Sequence, residues 1–234
     1  MSIYVIGDLH LSFNQNKPMD IFGKEWENHP DRIKENWIKN VKEEDLVVLA
    51  GDFSWAMYLE ETFDDFNFIS NLPGKKLLLK GNHDYWWTTV TSMKKFLKDN
   101  NFNNIDFLFN NSFLYDNKIL VGTRGWAITD SENSEKMLKR ESARLELSIK
   151  DGINKYGEDK EIICFTHYPP LIDTNIESMY QNKIINILKK YNIKKCYYAH
   201  LHGTSHKDAI EGVYGGINFK LISGDYLGFD LFKI

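Results

Sequence analysis

The sequence predicts an α/β fold with mixed sheets, on three observations. Six short apolar runs, rich in Val, Ile, Leu and Tyr, recur along the 234 residues, each about strand length. Longer amphipathic stretches separate them, and strands alternating with helices imply much parallel pairing. Near the C-terminus the alternation gives way to AIEGVYG, GINFKLIS and GFDLFKI, which glycines separate and which read as hairpin strands.

In chain order the apolar runs are residues 3–6, 46–50, 76–79, 119–121, 162–165 and 196–199. Residues 11–29, polar and aromatic, follow the first run and are expected to form a functional loop. A helix is expected at 31–41, where Pro30 suits the first turn. A second, at 59–72, stops at Pro73-Gly74, and a third, at 86–98, stops in the Asn-rich 100–104. Asp116-Asn117 marks a tight turn. The longest helix, 134–153, sets Met137, Leu138, Leu145, Leu147 and Ile149 among charges. The last, 177–190, carries Ile184, Ile185, Ile187 and Leu188, so the lysines of 183–195 read as a solvated helix face rather than a nucleic-acid patch. No repeat, low-complexity tract or linker interrupts the pattern, and one domain over 1–234 is expected.

Composition removes several classes. The chain is 42% hydrophobic with a net charge of -4, too apolar and too weakly charged for disorder. It lacks the roughly 18 consecutive apolar residues of a membrane span. MSIYVIGD has no basic region and too short an apolar run for a signal peptide, so the cytoplasm is the expected location. Two cysteines, Cys164 and Cys196, do not make a disulfide framework; both fall in apolar runs and read as buried free thiols. A slight acidic excess argues against holding nucleic acid by bulk charge.

The chemistry gathers where apolar runs end. IYVIG leads to Asp8 and His10, LVVLAG to Asp52, KLLLKG to Asn82, His83 and Asp84, IICFT to His167, and CYYA to His200 and His202. Five of the seven histidines lie in these places. In α/β sheets, ligands bind beyond the carboxyl ends of strands, so neighbouring strands would bring these side chains together. Carboxylate, imidazole and amide donors suit Mn, Fe, Co or Zn. There are too many for one ion, and two ions about 3.5–4 Å apart would clamp both the attacking and leaving oxygens of an in-line displacement. The i, i+2 spacing of Asp8/His10 and of His200/His202 would point each pair to one face of a strand.

The ordered set GDLH, GD, GNHD, H and HLHG, spanning residues 7–203, resembles the calcineurin-like metallophosphoesterases. The resemblance implies a four-layer α-β-β-α sandwich of two mixed sheets and a dinuclear phosphohydrolase. It implies that Asp8, His10 and His202 hold one ion, that Asp52 bridges, and that Asn82, His167 and His200 complete the second site. His83 would protonate or orient the leaving oxygen, with Asp84 orienting His83 by a hydrogen bond. A hydroxide bridging the ions would attack phosphorus. The cofactors implied are two divalent ions among Mn, Fe, Zn, Co and Ni, with Mn favoured. GDFSW departs from the Asp-Arg-Gly stretch of Ser/Thr protein phosphatases, which argues against that subfamily, and Ala199 stands where glycine is usual. THYPP resembles a segment of phosphodiesterase-like members and inclines the reading to small phosphodiesters, monoesters or nucleotides. A nuclease and a non-catalytic scaffold are the alternatives.

Arg124, between Gly122 and Gly125, reads equally as a phosphate clamp or a structural ion pair. Trp55, Tyr85, Trp86, Trp87, Trp126 and Tyr168 follow the motifs closely; packing is the first reading for each, and Tyr85 and Tyr168 are the ones expected to line a substrate pocket. His29 and His206 belong to no motif and are expected at the surface.

Overall fold

The computed structural model describes residues 1–129, 131–174 and 182–234. The strands are β1 (Ile3–Ile6), β2 (Leu46–Leu49), β3 (Lys75–Leu78), β4 (Ile105–Phe107), β5 (Phe113–Tyr115), β6 (Lys118–Thr123), β7 (Glu161–Thr166), β8 (Lys195–Tyr198), β9 (Gly212–Tyr214), β10 (Ile217–Leu221) and β11 (Phe232–Lys233). The helices are α1 (His29–Asn40), α2 (Phe63–Ser70), α3 (Val90–Asp99), α4 (Glu132–Tyr156) and α5 (Lys183–Lys190). Residues 177–181 of the expected last helix lie outside the described residues.

Two mixed sheets form. One runs β11-β1-β2-β3-β4, parallel except for β11; the other runs β5-β6-β7-β8-β10-β9, with antiparallel pairs at both edges. The sheets face each other across Val5, Val48, Leu77, Leu120, Phe165 and Tyr197. On the outer side of the first sheet, Ile33 and Trp37 of α1, Phe66 of α2 and Met93 of α3 pack against Ile6, Leu49 and Leu78. Leu145 and Ile149 of α4 and Ile185 and Leu188 of α5 cover the second sheet in the same way. The four-layer sandwich is therefore present. Strands buried on both faces read as continuous apolar runs, which is why they were visible without alternation.

Local chemistry sets the boundaries. The third helix begins at Val90 rather than at Trp86, because the Thr89 hydroxyl accepts the Ser92 N–H at 3.2 Å and caps it. The second expected helix opens as a 3₁₀ turn at Leu59–Thr62 before α2. Asp116 and Asn117 have φ of 46° and 60°, the left-handed pair of a type I′ hairpin joining β5 to β6. GFDLFKI is not a hairpin partner of the preceding strand; it crosses to the first sheet as β11 and pairs antiparallel with β1. Cys164 and Cys196 are register partners on β7 and β8, buried and unbridged. Among the described residues no helix is long and apolar enough to cross a membrane.

Candidate dinuclear metal centre

The ends of β1, β2, β3, β7 and β8 meet at one edge of the sandwich. Three parallel strand ends can meet this closely only without side chains between them. A Cβ on Gly51 would lie 2.6 Å from His167 Nδ1, and one on Gly81 would lie 2.0 Å from Asp52 Oδ1. The chain turns sharply past the strands. Asp8, His10, Asp52 and His200 have φ of 57°, 45°, 51° and 77°. The left-handed region costs a non-glycine residue about 1–2 kcal/mol, and four candidate ligands occupy it.

Two donor groups result. Asp8, His10 and His202 form one, and Asp52, His167 and His200 the other; within each, the ligand atoms lie within 4.8 Å of one another. Asn82 joins the second group, its Oδ1 2.7 Å from His167 Nε2. Asp52 Oδ2 stands 3.4 Å from His167 Nε2 and 3.7 Å from His10 Nε2, between the groups. The strand-face argument accounts for neither pair. Asp8 and His10 lie beyond β1 in left-handed backbone yet share a group, whereas His200 and His202 part to different groups.

The donor set fits two cations. His167 Nδ1 lies 3.0 Å from the Ala50 carbonyl and donates to it, which turns Nε2 toward Asn82 Oδ1, 2.7 Å away, as the nitrogen a cation would take. His10 Nε2 and His202 Nε2 face each other at 3.4 Å. Asp8 Oδ1 and Asp52 Oδ2 are buried oxygens without a hydrogen-bond partner. Acceptors crowded together with too few protons between them are costly unless a cation joins them.

Charge divides the imidazoles. Burial opposes the protonated form of His167, but Asp52 and Asp8 outweigh it and push the group up to about 9. Burial likewise opposes His202, which Asp8 and Asp225 raise to about 10. For His10 and His200 burial prevails, and both fall to about 4. Burial alone would raise Asp8 and Asp52; the surrounding imidazoles reverse this, holding Asp8 well below the carboxylate range and Asp52 at about 2.

His83 is half-buried at the rim. Its backbone N–H donates to Asp52 Oδ1 at 2.7 Å, its ring lies 4.5 Å from that of Trp55, and Tyr85 Oη is 3.4 Å from its Nδ1. Burial lowers its pKa, against the pull of Asp52. Asp84 does not make the expected bond to this ring. Its Oδ2 accepts the N–H groups of Asp52 (2.9 Å) and Gly81 (2.7 Å), and its Oδ1 those of Phe53 (2.9 Å), Ser54 (3.3 Å) and the Trp86 indole (3.0 Å). Asp84 is fully buried and ties the turn after β2 to the turn after β3, which is a positioning task.

Tyr85 is exposed beside His83, and Tyr168 is half-buried with its ring 4.2 Å from that of His200. Among the described residues Arg124 has no ion pair within contact distance; its guanidinium lies over the Trp126 ring at 4.6 Å. Trp86 and Trp87 are core residues packed on Phe66 and Phe107. The 11–29 loop folds over the centre: Trp26 sets its ring 5.6 Å from that of His10 and 5.5 Å from that of His202. His29 is buried against Trp26 and Phe229, not at the surface. Asp225 carried no sequence signal. Its Oδ1 is 2.9 Å from His202 Nδ1, and its Oδ2 is 3.1 Å from both the Gly203 N and His206 Nε2.

Fold and site together are those of a metal-dependent hydrolase, with two adjoining donor groups that could each hold a cation on an α/β sandwich. The sequence model of the calcineurin-like phosphoesterases matches residues 1–204, and the chain belongs to that family of dinuclear enzymes acting on phosphoester bonds. No curated protein matches it. Among solved structures it is similar to the protein of unknown function AQ665 from Aquifex aeolicus, at 16% identity and a TM-score of 0.53, over 99% of this chain and 95% of that one. It is similar to the phosphopantetheinyl hydrolase PptH from Mycobacterium tuberculosis at 13% identity and 0.53, over 100% and 95%. It is also similar to TT1561 of Thermus thermophilus at 12% identity and 0.57, over 100% and 99%. At these identities the likeness is one of fold.

Proposed function

We propose that this chain hydrolyses a small phosphoester, a diester, monoester or nucleotide, with Mn as the favoured metal. The observation that carries the reading is the pair of donor groups flanking Asp52, whose buried Oδ2 has no hydrogen-bond partner. When bound, two divalent ions supply the charge that receives a phosphoryl group and lower the pKa of water.

The protein's own residues do the rest. Asp8, His10 and His202 would hold one ion, and Asn82, His167 and His200 the other, with Asp52 between them. His167 keeps its Nε2 free by donating from Nδ1 to Ala50. His83, at the rim and held by its backbone to Asp52, is placed to give a proton to the leaving oxygen. Trp26 and Trp55 wall the centre and exclude water from one side. Tyr85 and Tyr168 border the side on which a substrate's organic part would lie.

The test is a panel of phosphomonoesters, diesters, nucleotides and a phosphopantetheinyl ester with the Mn-loaded protein. Turnover that a chelator abolishes and Mn restores is expected. Two bound metals without turnover on any member would overturn the reading in favour of a non-catalytic scaffold.

A further inference from the structure

Of the chain's 29 basic residues only four are arginine, and three of them, Arg124, Arg140 and Arg144, converge with Lys80 on one buried carboxylate, Glu141. Glu141 has no exposed surface. Its Oε1 takes Arg144 Nη1 at 2.7 Å and Arg140 Nε at 3.5 Å, and its Oε2 accepts the Thr123 hydroxyl at 2.7 Å. Both oxygens are engaged, and Lys80 and Arg124 are left over. Among the described residues neither side chain has a hydrogen bond or an ion pair, and Arg124 Nε is buried without a partner. Both are half-buried, in the wall of the small hollow they share with Glu141 and Arg144. Two half-buried cations side by side, with the nearby Glu141 carboxylate already taken up by Arg140, Arg144 and Thr123, favour a ligand that brings its own negative charge.

Their place in the fold says which ligand. Lys80 follows β3, two residues before Asn82. Arg124 follows β6, and its carbonyl accepts the N–H groups of His167 at 3.1 Å and Tyr168 at 2.9 Å. Arg124 also acts on the Tyr168 hydroxyl, whose ring touches His200. The pair thus stands next to the candidate centre rather than in it. The hollow that Lys80, Arg124, Glu141 and Arg144 line has a volume of only about 10 Å³, room for about one water. An anion is therefore held at the rim, on the solvent side. A guanidinium offers two parallel donors to a phosphoryl group, and Trp126 fixes its plane.

We propose that Lys80 and Arg124 form a subsite for a second phosphoryl group, adjoining the one that is cleaved, and that the substrate is an ester bearing two phosphates close together. This rests on the phosphoesterase reading above. Glu141, Arg140 and Arg144 brace the subsite, and Tyr168 joins it to the centre.

The experiment is calorimetric titration of the Mn-loaded full chain with methylenediphosphonate and with methylphosphonate, neither of which is hydrolysed. Wild type is expected to prefer the bisphosphonate by about tenfold or more. Lys80→Gln and Arg124→Gln, which keep length and lose charge, are each expected to cut that preference at least threefold; Lys95→Ala, on the exposed face of α3, keeps it. Circular dichroism checks folding, and Arg124→Lys, which restores the charge without the planar fork, recovers part of the preference. A wild-type preference below threefold, or one retained in either Gln variant, overturns the subsite. Failure to hydrolyse any phosphoester would overturn the earlier reading and leave this ratio still measurable.

Discussion

Asp225 Oδ1 lies 2.9 Å from His202 Nδ1, and this contact fixes which nitrogen of His202 faces the centre. An Nδ1–H donated to the carboxylate turns Nε2 toward Asp8 Oδ1, 3.6 Å away, where it would serve as the ligand nitrogen of a bound cation. The carboxylate comes from the segment after β10, beyond residues 1–204 that the family's sequence model matches. Its other oxygen accepts the Gly203 N–H and lies 3.1 Å from His206 Nε2, so one buried side chain reaches both sides of the turn after β8.

Asp225→Ala should therefore weaken metal binding at the Asp8–His10–His202 position by about 10–100-fold. The Asp52–His167–His200 position should change little. Calorimetric titration with Mn separates the two as distinct isotherm steps. An unchanged first step would show that His202 needs no such anchor.

His83 is expected to matter most where the leaving group is a poor one. His83→Ala should keep both metals, and its rate on an alkyl phosphate should fall by about 10²–10⁴-fold. The loss on a nitrophenyl ester, whose leaving oxygen needs no proton, should be at least tenfold smaller. Equal losses on both esters would remove the proton-donor role and leave His83 a positioning residue.

The Gly81 backbone lies against the bridging carboxylate, since an added Cβ would come within 2.0 Å of Asp52 Oδ1 and 2.2 Å of its backbone N. Gly81→Ala must push the turn after β2 away, and with it the Asp52 side chain. The variant should lose about 3 kcal/mol or more of stability, in the range set by overpacking and broken buried hydrogen bonds. Its metal content by elemental analysis should fall below that of wild type. Full metal content at wild-type melting temperature would contradict the packing described.

How much of this was legible in the sequence depends on distance along the chain. Asp8, Asp52, His167 and His200 each follow a buried apolar run by one or a few residues, so the strand and its ligand are read together. The two-group arrangement followed only from the family resemblance, because left-handed turns at Asp8 and His200 override strand alternation. Asp225, Trp26 and the approach of Arg140 and Arg144 to Arg124 were not legible. Each depends on a loop or a helix face docking against a distant strand end, and no local periodicity encodes that. The same holds for β11, two residues long, which finds its partner across the sheet edge rather than in a neighbouring turn.

The last prediction concerns pH and stability away from the metal ligands. Asp65 of α2 is fully buried; its Oδ1 accepts the Phe13 N–H at 3.1 Å, and its Oδ2 accepts the Ser54 hydroxyl. Burial raises its pKa to about 6 despite these bonds, and Asp64 adds to the rise. A carboxyl with a raised pKa binds its proton more tightly in the folded chain than in the unfolded one. Between about pH 4 and the folded pKa the folded state holds the extra proton, so stability falls as pH rises through that window. The interval of about two units corresponds to about 3 kcal/mol at most. Asp65→Asn keeps an acceptor for Phe13 and cannot ionise. Relative to wild type, the variant should therefore gain about 2–3 kcal/mol between pH 4 and pH 7.5. Urea unfolding of both chains in chelator, at several pH values, measures the difference. A stability difference that stays constant over that range would mean that Asp65 titrates as an ordinary surface carboxylate.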